Sequence, residues 1–270
     1  LERGRAEAYP RGRTALRRDA QIHPYTRSFL LDEATLSCRF ALAFAESARA
    51  PTIGEVLPSQ GETNMAAILT SLRNTVTAGF LLAVLFVLLY AAIWSGPLDM
   101  NFWRFFFRWF HVLSGIMWIG HLWYFNFTQI PTMPKIPDEL KPAVGKFIAP
   151  EALFWFRWGA MFTIVTGIIL AGMNDYLLQA YTLGATENFQ NHQHIAIGIG
   201  MWLGTIMWFN VWFIIWPAQQ KALNIANRYP DLPADQKAKA ARMAMLFSRT
   251  NTLLSIPMLF AMVSAQNLPY

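Results

Sequence analysis

Five long apolar runs govern what this chain can become. They cover 74–98, 109–134, 158–174 (extended backwards by the apolar 152–156), 188–220 and 250–270, and none holds an Asp, Glu, Lys or Arg. The hydrocarbon core of a bilayer is about 30 Å thick, and roughly 20 residues of helix cross it. The runs match that length, so the chain reads as all-α, a polytopic transmembrane helix bundle of about five spans. Histidine or arginine is set into or beside four of them: His111, His121, Arg157, His192 and His194. Ionisable groups near bilayer depth are costly and usually functional, which makes these five the first candidates for a site.

Composition narrows the function classes. The chain is 54% hydrophobic and only 14% charged, where a soluble domain carries about a quarter charged residues. A net charge of +6 would suit nucleic acid if the basic residues formed one patch. Past residue 65 they gather mostly in two loops instead, the pattern of a protein oriented in a membrane by Lys and Arg. Nucleic acid is therefore not expected as a partner; the lipid bilayer is. The single Cys38 excludes an internal disulfide framework, a Cys-rich metal site and a C-x-x-C-H haem attachment.

Residues 1–64 differ from the rest. They hold nine arginines, eight acidic residues and no Lys, Trp or Met, while every Trp and Met lies from Met65 onward. That acidic content makes a poor transit peptide. The expected division is a non-membrane leader over 1–64, not native to the working protein, and a transmembrane domain over 65–270. An apolar segment runs to Tyr270 with no polar tail, so the domain reads as incomplete at that end.

The loops orient the bundle. Lys135, Lys141 and Lys146 lie in 131–151, and Lys221, Arg228, Lys237, Lys239, Arg242 and Arg249 in 217–250, whereas 174–191 has no basic residue. By the positive-inside rule 174–191 faces out, 217–250 faces in and the N-terminus is cytoplasmic. The 95–108 connection, with Arg104 and Arg108, falls on the outer side. Small residues at intervals of four predict close helix approach on the third span (Gly159, Thr163, Gly167, Ala171) and the fourth (Ala196, Gly200, Gly204). Trp202, Trp208, Trp212 and Trp216 read as belt and packing residues.

The histidines form the candidate redox site. His111, Ser114, Trp118 and His121 follow intervals of 3, 4 and 3, a seam facing neighbouring helices. His111 is expected near the outer surface, at one depth with His192 and His194 at the start of the fourth span. Imidazoles from different helices at one level are what a b-type haem requires, and all four histidines are candidate ligands. Arg157 and Asn210 are candidate substrate-binding residues. The plainer alternatives are interfacial histidines and an arginine that snorkels to the headgroups.

Four stretches then resemble one family. HVLSGIMWIGHLWYFNFTQIPTMPKIP, FIAPEALFWFRWGAMFTIVTGI, NHQHIAIGIGMWLGTIMWFNVWFIIWPAQQ and SRTNTLLSIPMLF are similar to the bacterial membrane-bound urate hydroxylases of the PuuD type, from about Met65 to the end. The resemblance implies an inner-membrane oxidoreductase of purine catabolism that oxidises urate to 5-hydroxyisourate. It also implies electron transfer to a cytochrome c, whose haem c would sit in a C-terminal domain absent from this chain. The catalytic residues are not assigned by it. A non-enzymatic b-type cytochrome, a haem- or copper-handling subunit and a small-anion transporter are the alternatives from other classes.

Overall fold

The computed structural model describes residues 64–93 and 97–269. The leader, with His23 and Cys38, lies outside the described residues, so its division from the domain stays an expectation. Every regular element among the described residues is helical. Five helices are long: α1 Leu72–Ile93, α2 Met100–Trp123, α3 Ala149–Met173, α4 His192–Phe209 and α5 Ala234–Asn267.

Four of the expected five spans meet the length and composition a membrane crossing needs: α1, α3 with its leading turns from Lys141, α4 continued to Ala222, and α5. Helix α2, which contains most of the second run, is less apolar because it includes Arg104 and Arg108 as well as two histidines. It nevertheless lies against α3 along its length, antiparallel. Arg104 Nε donates to Met173 O at 2.7 Å at one end, and Phe125 packs on Phe156 at 5.7 Å at the other.

The start of α2 corrects the loop reading. The Asp99 carboxylate accepts from the backbone N–H of Asn101 at 3.0 Å and Phe102 at 3.1 Å, an N-cap that satisfies two orphan donors and starts the helix at Met100. Arg104 and Arg108 are thus helical and not part of a connection. Arg104 reaches the last turn of α3, where unpaired carbonyls and the helix dipole favour a cation.

Helices α2 to α5 form a ring. The pairs α2–α3 and α4–α5 pack most extensively, and smaller contacts join α3 to α4 and α5 to α2. Its interior is mainly apolar, with Trp118, Leu122 and Phe156 buried, but it also encloses Asn251 and Ser255 of α5, while Leu253 and Phe260 of the same helix are each 69% exposed. Hydrogen bonds between buried polar groups also tie the helices together. Asn210 Nδ2 donates to Asn251 Oδ1 at 2.8 Å, Asn251 Nδ2 to Met207 O at 2.9 Å, and Trp123 Nε1 to Ser255 Oγ at 3.1 Å.

The small-residue stripe of α3 is the α2 contact. A Cβ on Gly159 would lie 3.0 Å from the Trp118 backbone nitrogen, and one on Gly167 would lie 3.0 Å from His111 Cε1. On α4, Gly200 faces the flexible Met262 side chain of α5. Among the described glycines the tightest is Gly198, where a Cβ would run into the carbonyl of Ala180 in the short helix Leu177–Tyr181.

Two of the long helices continue through π-helical segments at one level. Tyr124–Gln129 extends α2, and Asn210–Ile215 extends α4. Both flank α3 near Phe156 and Arg157, through the Phe125–Phe156 and Trp158–Trp212 contacts. Single π turns of this kind re-aim side chains and are frequent at functional sites.

Candidate functional site

Arg157 lies two turns inside the N-terminal end of α3, about 12 Å along its axis from Ala149. Its guanidinium carbon sits 3.8 Å from the ring centre of Trp216, 5.0 Å from that of Trp212 and 6.0 Å from that of Trp158. Trp158 meets Trp212 edge to face at 5.3 Å. A cation over aromatic faces is attracted by their quadrupole, and the attraction grows when water is excluded. The tryptophans therefore hold a positive charge at depth.

The tryptophans divide into two groups. Trp202 is exposed and donates to Tyr181 O at 2.9 Å, as a belt residue would. Trp208, Trp212 and Trp216 follow one stripe, four apart, through the π segment, and the last two meet Arg157. That stripe, together with an arginine inside a long apolar segment, was the signal available in the sequence. Asn210 is buried and turned to α5, where its amide group is engaged by Asn251. Asn210, the first residue of the π segment that carries Trp212, is thereby tied to α5.

The histidines separate. His111 Nδ1 lies 2.9 Å from Thr163 O and 3.2 Å from Thr166 Oγ1, with Gly167 making room for the ring. Donation to the carbonyl places the proton on Nδ1 and leaves Nε2 as the lone-pair nitrogen, the arrangement that prepares an imidazole for a metal. His121 Nδ1 turns back onto Met117 O of its own helix at 2.7 Å. It shares the level of Arg157, through the neighbouring Trp118–Gly159 and Phe125–Phe156 contacts, while Arg157 points to the tryptophans of the α4 extension.

At the N-terminal end of α4, His194 Nδ1 is 2.7 Å from Glu187 Oε2, and its ring lies 5.7 Å from that of Tyr176. His192 is exposed and lines an open polar cavity of about 440 Å³ with Glu187, Gln190, Gln193 and Gln266.

The expected common depth of His111 and His192/His194 is not formed. Because Asp99 starts α2 early, His111 is eleven residues down the helix, about 16 Å from Met100. It packs at Gly167, one turn below Ala171, and Ala171 shares a core cluster with Ile197 and Met201 of α4. His192, at the start of α4, is therefore about 13 Å from that level along the bundle. The described residues do not fit a haem held between His111 and His192 or His194. Among them, no group of three or more His, Cys, Asp and Glu is placed to hold a metal ion.

Fold and site together define a class: an all-α bundle with four membrane-competent helices and a tryptophan-held arginine. Residues 176–268 match the family described as urate oxidase N-terminal, about a third of the 270-residue chain. That segment is thus urate oxidase N-terminal-like, which points to an oxidoreductase. It contains α4, α5 and the Trp208, Trp212 and Trp216 stripe, while Arg157 and His111 lie before it. No curated protein and no solved structure matches the chain.

Proposed function

We propose that this chain is the membrane part of an oxidoreductase that converts urate to 5-hydroxyisourate, with Arg157 and its tryptophans as the urate site. The observation that carries this reading is the Arg157 guanidinium 3.8 Å over Trp216, in a chain whose last third matches a urate oxidase family. Urate is a planar anion at neutral pH, so its site needs a positive group, hydrogen-bond donors and flat apolar walls. A guanidinium stacked by its face keeps its N–H groups in the ring plane, suited to an anionic edge. Trp158, Trp212 and Trp216 supply the walls.

The reaction balances as urate plus water giving 5-hydroxyisourate, two protons and two electrons. No side chain at the site is a sink for two electrons, so a redox group takes them. We assign that role to a cytochrome c, attached or soluble, at the outer face of a bacterial inner membrane. His111 is the histidine prepared to ligate iron if a b-type haem lies between. The N-terminus is cytoplasmic in this reading, in keeping with the basic 217–250 segment.

The test uses the full chain in lipid nanodiscs, with urate as substrate and oxidised cytochrome c as acceptor. The expected result is two cytochromes reduced per urate consumed, with the new oxygen of the product drawn from isotopically labelled water. Urate left unchanged, or oxygen drawn from dioxygen, would overturn the reading.

A further inference from the structure

The indole N–H groups of Trp208 and Trp212 are buried and have no acceptor. Buried indole N–H groups ordinarily find a partner, and leaving one unfilled in a low-dielectric interior is costly. Both belong to the stripe Trp208, Trp212, Trp216, in which residues four apart stay nearly in line through the wider turn of Asn210–Ile215. Trp212 is fixed by its edge-to-face contact with Trp158 at 5.3 Å and lies 5.0 Å from Arg157. Trp208, one turn further out, is fixed edge to face on Phe213 at 5.8 Å. Two rigid donors thus stand along the stripe that carries the cationic centre.

We infer that the N–H groups of Trp208 and Trp212 read ring carbonyl oxygens of the bound heterocycle, so that the site selects oxopurines over aminopurines. The inference rests on the urate reading of the same site. Guanidinium and indole N–H are all donors, and urate presents three ring carbonyls as acceptors. An exocyclic amino group would set donor against donor and leave the buried N–H unfilled, the kind of mismatch that discriminates most strongly.

The experiment measures equilibrium binding by the full chain of urate and of the three dioxopurines that each lack one of its carbonyls. Trp208→Phe and Trp212→Phe keep an aromatic wall and remove the donor. Each is expected to lower urate affinity about tenfold with an unchanged unfolding midpoint. Each should also be nearly indifferent to loss of the one carbonyl that its indole reads. Where phenylalanine disturbs packing, benzothienylalanine, which puts sulfur in place of N–H in the same outline, gives the same comparison. Variants that bind urate as tightly as the unaltered chain overturn the inference alone. So does an equal loss for urate and all three dioxopurines, which would mark packing and not donation. An unaltered chain that binds no urate overturns both this inference and the reading beneath it.

Discussion

Arg157 and Trp216 come from different helices and meet with 3.8 Å between guanidinium carbon and ring centre. The contact joins the N-terminal half of α3 to the residue that follows the π segment of α4 and holds a cation among indoles. Trp216→Leu keeps apolar bulk and removes the face. A cation–π contact of about 1–2 kcal/mol corresponds to urate binding weaker by roughly five- to thirtyfold. Titration of the purified variant with urate checks this; unchanged affinity would show that the stacking does not support the site.

Glycine substitutions should rank by what lies opposite. Gly198→Ala drives a methyl group into the Ala180 backbone carbonyl, whereas Gly200→Ala meets the mobile end of Met262. Overpacking against backbone costs about 1–3 kcal/mol, and a flexible side chain yields for less. Thermal unfolding in detergent should show a clear drop for Gly198→Ala and little change for Gly200→Ala. The reverse order would mean that the Leu177–Tyr181 helix is not seated on α4.

Asn251 has no exposed surface and bonds both Asn210 and the Met207 carbonyl. Asn251→Leu leaves the Asn210 amide unpaired inside the bundle. Interhelical hydrogen bonds in lipid contribute about 0.6–2 kcal/mol. A destabilisation of that order is expected in a chemical unfolding titration, and the double variant with Asn210→Leu should recover part of it. Strict additivity of the two changes would deny the pairing.

Much of the architecture was legible because length and apolar character decide a membrane helix almost alone. The α3 stripe of Gly159, Thr163 and Gly167 was likewise readable, since close approach needs small side chains at intervals of four. The level of His111 was not, because the run seemed bounded by Arg108, while the Asp99 cap two turns earlier set the true start of α2. Nor was the tryptophan cluster, because belt, packing and binding residues share one composition. Only the π segment and the position of Arg157 separate Trp202 from Trp212 and Trp216. Asn210 showed the converse: a polar residue at depth that serves a helix contact.

The separation of the histidines has a spectroscopic consequence. His192 and His194 stand at the start of α4, while His111 is packed at Gly167 with Nδ1 bonded to Thr163 O. In the full chain purified from haem-supplied cells, His192→Ala and His194→Ala should leave the Soret region as it is in the unaltered protein. A Soret band lost in either variant would place one of these two histidines on the iron and contradict the levels described above.

The central claim is that Arg157 binds the urate anion, and equilibrium binding of radiolabelled urate to the full chain in nanodiscs tests it most directly. Removing the charge in Arg157→Gln should weaken binding at least a hundredfold, because charge-assisted hydrogen bonds in a buried site are the strong ones. Arg157→Lys keeps charge but loses the planar fork and the stacking on Trp216, so it should recover only a small part. Urate bound equally well by the unaltered chain and by Arg157→Gln would contradict the account.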